Sequence, residues 1–206
     1  AAKTTERDAL GNTIRDTPLL LKLMLPKSLE SPKLSEKQMA AMPMSLRRTL
    51  LTLAHDADYV LDLHCDCEAV LHLYTEEACW SALEPLARQL QCQAVLLAKN
   101  SGCDPLDECL SGVWWKLADA CAAAGLQVPL PQGCCSTTIE LRGEADVCHA
   151  LAHADAQAIF AFLHGVGAVR GTQRAPLPAL ACQPTPLAGS QTLHAPATGV
   201  VVFAAK

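Results

Sequence analysis

The chain has 206 residues, half of them hydrophobic, 18% charged and only 4% aromatic, with a formal net charge of −5 at pH 7. That balance suits one substantial α/β domain with a core of Leu, Ala and Val, and it offers no basic stripe for nucleic acid or for an anionic membrane surface. No apolar run approaches the roughly 20 residues that span a bilayer, and residues 1–17 carry no secretory pattern, so a cytoplasmic protein is expected.

The 11 cysteines are an odd number in a chain that is not small. Several of them (Cys79, Cys121, Cys148) sit in helix-like apolar patterns, so reduced thiols are expected rather than a disulfide framework. The chain opens on Ala-Ala-Lys without Met and ends at Lys206 in a strand-rich pattern, which points to a piece of a longer polypeptide.

Residues 1–44 are irregular, with modest helical stretches predicted at 5–11, 18–25 and 34–42. Ser45 is a candidate cap for a helix carrying Leu46, Leu50, Leu53 and Ala57 at helical spacing. Tyr59–Leu63 and Val70–Tyr74 are predicted strands, 76–90 an amphipathic helix and Gln93–Leu97 a further strand. A helix is predicted over 107–124, closed by Gly125. The β-branched run Thr137–Leu141 then reads as a strand, and 145–164 as a long Ala-rich helix. Strands interleaved with helices over 45–170 predict a mixed sheet flanked by helices. Residues 171–190 are a Pro-rich linker by composition, and 191–206 read as the start of a C-terminal β domain.

The densest polar cluster, Asp62-Leu63-His64-Cys65-Asp66-Cys67-Glu68, follows the first strong strand, where α/β sheets gather functional groups. His64 is a candidate metal ligand there, its ring fixed through its second nitrogen by Asp62; a loop His among solvated acids is the plainer reading. Cys65 and Cys67 lack the C-x2-4-C spacing and distant partner pair of a structural zinc site. Glu140 is a carboxylate inside an apolar strand, so it needs a task or a partner: a general base, or an ion pair with Arg142. His72 can line the same cleft or sit satisfied within its strand. His149 and His153 share a helix face, yet HALAH lacks the Glu of H-E-x-x-H. Trp114 and Trp115 either wall a pocket or pack on the sheet. No Walker motif, Gly-rich phosphate loop or G-x-S-x-G elbow is present.

Three segments taken together carry a resemblance. HDADYVLDLHCDCEAVLHLYT (55–75), TTIELRGEADV (137–147) and TPLAGSQTLHAPATGVVVF (185–203) resemble the succinylglutamate desuccinylase/aspartoacylase family, with its zinc carboxypeptidase-like fold. The resemblance implies a zinc ion bound by His64, Glu140 as the base that activates water, and hydrolysis of an amide in a small N-acyl amino acid or related carboxylate. Arg142 and His72 are the candidate substrate contacts, a small molecule is the expected partner, and a homo-oligomer is compatible. The family's upstream H-x-x-E, source of two further zinc ligands, has no counterpart ahead of His64. Its Asn-x-x-Arg substrate clamp is missing too. Two other readings therefore stay open: a non-catalytic domain of this fold that has lost its metal, and a Cys/His metal-binding module built on His64, Cys65 and Cys67.

Overall fold

A computed structural model describes residues 21–24, 36–102, 105–170 and 176–200. Six strands and four α-helices follow one another as β1 (Leu21–Met24), α1 (Glu36–Ala54), β2 (Tyr59–Asp66), β3 (Leu71–Glu76), α2 (Trp80–Leu90), β4 (Ala94–Ala98), α3 (Leu106–Ala123), β5 (Cys135–Gly143), α4 (His149–Gly165) and β6 (Thr185–Pro186). The strands form one sheet in the order β1-β2-β5-β3-β4-β6. It is mixed: β1, β2 and β5 run parallel, β3 is antiparallel to β5, and β4 and β6 run parallel to β3.

The two faces of the sheet are set by residue parity, as strand geometry requires. Leu61, Leu63, Leu71, Leu73, Val95 and Ile139 face α2 and α4, where Leu83, Leu86, Ile159 and Phe162 complete the main core. Val60 belongs to a smaller cluster with Ala54 of α1, Leu110 of α3 and Cys134. The buried Thr75 and Thr137 sit among apolar neighbours at low cost because their hydroxyls donate to the carbonyls of Ser136 and Tyr74 at 2.9 and 2.7 Å.

Most predicted elements are present within a few residues, and Gly125 closes α3 in the left-handed region at φ +72°. Two expectations are corrected. Residues 21–24 form strand β1 where a helix over 18–25 was predicted, because pairing with β2 (Leu21 opposite Tyr59) overrides a Leu-rich helical preference. Ser45 does not cap a helix: α1 already starts at Glu36 and runs through it, and the Ser45 carbonyl accepts the Thr49 hydroxyl at 3.0 Å. The helices predicted at 5–11 and the start of the one at 34–42 fall outside the described residues. Residues 176–190 lie on the domain, with β6 paired to β4, whereas 191–200 form no regular element and 201–206 lie outside the described residues.

Candidate active site

Even-numbered residues of β2, β5 and β3 face away from the main core, and toward the C-terminal ends of β2 and β5 they are polar. His64 lies in register with Glu140 on one side, and His72 lies in register with Glu140 on the other. Asp62, Thr138 and Tyr74 form the next row on the same face. Two candidates separated by 76 positions in the sequence thus become neighbours, with Glu140 between two imidazoles.

Asp62 is 17% exposed and its Oδ2 lies 3.1 Å from Nε2 of His64, which is 50% exposed. At that distance the carboxylate braces one edge of the imidazole electrostatically. Asp62 thus lies beside the His64 ring, the neighbour considered from sequence. His72 is buried. Its Nδ1 lies 2.7 Å from the Val70 carbonyl, which can only accept, so Nδ1 carries the proton. Nε2 then accepts from the Tyr74 hydroxyl at 3.2 Å, and the two rings meet edge to face with centroids 5.1 Å apart. Both nitrogens of His72 are therefore engaged within β3, and what this residue turns toward the site is the oriented phenol of Tyr74. Burial, with the negative charge of Glu140 and Asp66, raises the Tyr74 pKa and keeps the phenol protonated.

Glu140 Oε2 is buried and has no hydrogen-bond partner among the described residues. The ion pair with Arg142 considered from sequence is not formed. Between His64–Asp66 of β2 and Glu140–Gly143 of β5, the second strand holds one residue more, and Arg142 takes up the bulge with φ +74°. The bulge turns Arg142 to the α4 side, where its Nη2 pairs with Asp155. Simple alternation would have put residues 140 and 142 on one face. Arg142, Asp155 and His64 edge an open, largely apolar cavity of ≈ 690 Å³ along α4.

The loop after β2 closes on the end of β5: Glu144 N–H donates to the Asp66 carbonyl at 2.8 Å, and Cys67 N–H to Asp66 Oδ1 at 2.7 Å. Gly143 allows this approach, since a Cβ there would sit 3.0 Å from the Glu68 Cα and 3.2 Å from the Cys67 carbonyl. Cys65 and Cys67 are exposed free thiols on this loop. Among the described residues, no three His, Cys, Asp or Glu side chains are grouped to hold a metal ion. His149 and His153 are exposed on α4, away from the row.

Sequence reasoning passed over a second acidic group beneath the site. Glu76 is 2% exposed, and its Oε1 accepts Trp115 Nε1–H at 2.6 Å. Asp107 and Glu108, in the first turn of α3, are also buried. Acidic residues at a helix start are commonplace because they suit the helix dipole, so their position alone carried no signal. Trp114 instead packs in the smaller core, its ring so close to Gly133 that a Cβ there would lie 2.5 Å away.

No protein-family model matches the chain, and no curated protein matches it. Solved structures do. A protein of Shewanella frigidimarina described as a succinylglutamate desuccinylase/aspartoacylase superposes with a TM-score of 0.61 at 21% identity, over 96% of this chain and 59% of its own length. A succinylglutamate desuccinylase/aspartoacylase family protein of Shewanella amazonensis gives a TM-score of 0.57 at 24% identity, over 79% of this chain and 48% of its own. The chain thus spans about half to three-fifths of the length of these two structures. No helix among the described residues is long and apolar enough to cross a membrane. The chain has the mixed α/β fold of the succinylglutamate desuccinylase/aspartoacylase structures.

Proposed function

We propose that the chain carries the general-base half of a hydrolase site that cleaves the amide bond of a small N-acyl amino acid or related carboxylate. The observation that carries this reading is the Glu140 carboxylate, with one oxygen buried and unpartnered, held in register between His64 and His72. A buried carboxylate oxygen without a donor is costly unless something else occupies that position, and a hydrolytic water is such an occupant. Glu140 would take a proton from water as its oxygen attacks the acyl carbon, and return it to the departing amine. The Tyr74 hydroxyl stands in the adjacent row with its proton donated to His72 Nε2, so toward a substrate it offers an acceptor lone pair.

Zinc is the cofactor this reading expects, with His64 as a ligand. Catalytic zinc sites use three protein ligands. The described residues do not fit a complete site: they offer His64 and no grouped set of three donors, so no step is assigned to a metal.

The test is to incubate the full chain with zinc and a panel of N-acetyl and N-succinyl amino acids. Free amine is followed in wild type and Glu140→Gln, and zinc content is measured on the same samples. Amine release by the wild type, falling about 10²–10⁴-fold in E140Q, is the expected result. No zinc uptake and no amine release from any substrate would overturn the reading in favour of a non-catalytic domain of this fold.

A further inference from the structure

The face of the sheet that carries Glu140 has a second feature. A cavity of ≈ 260 Å³ lies between that face and the start of α3, lined by Tyr74 and Thr138 from the row below Glu140, by Leu96, Pro105 and Leu187, and by Asp107 and Glu108. Asp107 is 4% exposed and its Oδ1 has no hydrogen-bond partner among the described residues. Glu108 is 6% exposed, and its Oε1 accepts the Ser101 N–H at 2.8 Å. Among the described lining residues there is no Lys or Arg. Glu76, with its own unpartnered Oε2, adds negative charge behind Asp107.

Backbone N–H groups at the start of α3 stabilise the Asp107 carboxylate in part, but its buried Oδ1 remains without a donor among the described residues, and a buried carboxylate oxygen left so is costly. Lys116 lies near Glu76 and Lys99 lies over the Trp115 ring, but neither borders the cavity. A bare metal ion is a poor match, since no three donors are grouped and half the wall is aliphatic or aromatic. An alkylammonium fits both properties: its methylenes against Leu96, Pro105, Leu187 and the Tyr74 ring, its charged end on Asp107.

We propose that this cavity binds an organic ammonium group, so that the substrate class is a small N-acyl compound carrying a second, positively charged amine. The proposal rests on the hydrolase reading for the word substrate, and on the cavity alone for the ammonium. Tyr74 and Thr138 stand two residues along their strands from His72 and Glu140, roughly 7 Å. That is the reach of about six chain bonds, which sets a short spacer between the scissile amide and the ammonium. Burial pushes the Asp107 pKa up to about 6, so the carboxylate is charged above that pH and available to a cation.

The experiment titrates the full chain with n-butylammonium and with the neutral n-butanol at pH 7.5, following the amide resonances of Ser101 and the first turn of α3. The same chain is then assayed on Nα-acetylornithine and on N-acetylnorvaline, which lacks the ammonium. Saturable shifts with butylammonium but not butanol, weakened at least tenfold in Asp107→Asn, are expected, with kcat/KM at least tenfold higher for acetylornithine. The wild-type comparison of amine with alcohol needs no variant, so a D107N protein that fails to fold leaves the test intact. Equal shifts from the alcohol, or undiminished butylammonium binding by folded D107N, would sink the proposal. Hydrolysis of both substrates at equal rates would also sink it and leave the hydrolase standing. Ammonium binding that depends on Asp107, without hydrolysis of either substrate, would support the cavity assignment and count against the hydrolase.

Discussion

Asp107 is held at 4% exposure at the start of α3, and burial moves its pKa from 3.8 to about 6. The sign of the consequence follows from proton counting. Between pH 3.8 and about 6 the folded chain binds this proton more tightly than the unfolded chain, so stability falls as pH rises through that window. A shift of this size is on the order of 1–3 kcal/mol. Other carboxylates titrate in the same range, and Glu76 is raised as well, so the readout is the difference between wild type and D107N. Urea unfolding at pH 4 and pH 7 should show D107N gaining stability relative to wild type at the higher pH. A difference that does not change with pH would mean that Asp107 is not the group responsible. Ser, Asp or Glu near a helix start is ordinary in any sequence, so this site was not legible from residues 105–108. Glu140 was legible because a carboxylate in the apolar run TTIEL is unusual.

At the scale of elements, the bulge in β5 decides which candidates lie side by side. The strand pattern correctly indicated β2, β3 and β5, and hence that His64 and Glu140 lie near strand ends. The extra residue at Arg142 has no sequence signal, since Leu-Arg-Gly reads equally well as continued alternation. It sends Arg142 to Asp155 on α4, where the pair is 16% and 14% exposed by side chain. Arg142 Nε is buried without a partner among the described residues, so this pair is only partly satisfied. Removing one member of such a pair strands the other, whereas replacing both with apolar groups is often close to neutral. Arg142→Met and Asp155→Leu should each destabilise by about 2–4 kcal/mol, and the double variant by clearly less than their sum. Thermal melts of the four proteins complete the cycle. Additive losses would show that the two side chains do not depend on each other.

At the scale of the whole molecule, the fold was readable because strands and helices alternate with distinct periods, and because motifs far apart in the chain fall on one sheet. A metal-ligand set was not, since the described residues group no second and third donor with His64. The composition of residues 171–190 suggested a linker, but it could not show that 176–190 dock on the domain. Leu180 and Cys182 pack on the main core, and β6 shields the outer side of β4. Arg88 of α2 holds this strap by donating from Nε to the Pro178 carbonyl at 2.6 Å, and Gln91 donates to the Ala179 carbonyl at 3.0 Å. An uncovered edge strand invites pairing with another chain, so the strap also protects β4. Arg88→Ala removes the charged donor to Pro178 and the contact with Glu84, and should cost about 1–2 kcal/mol. The loss should be local. Amide exchange should quicken across 176–187 and along β4 while α4 keeps its protection. Uniform quickening across the whole domain would mean instead that the strap and the sheet unfold as one unit.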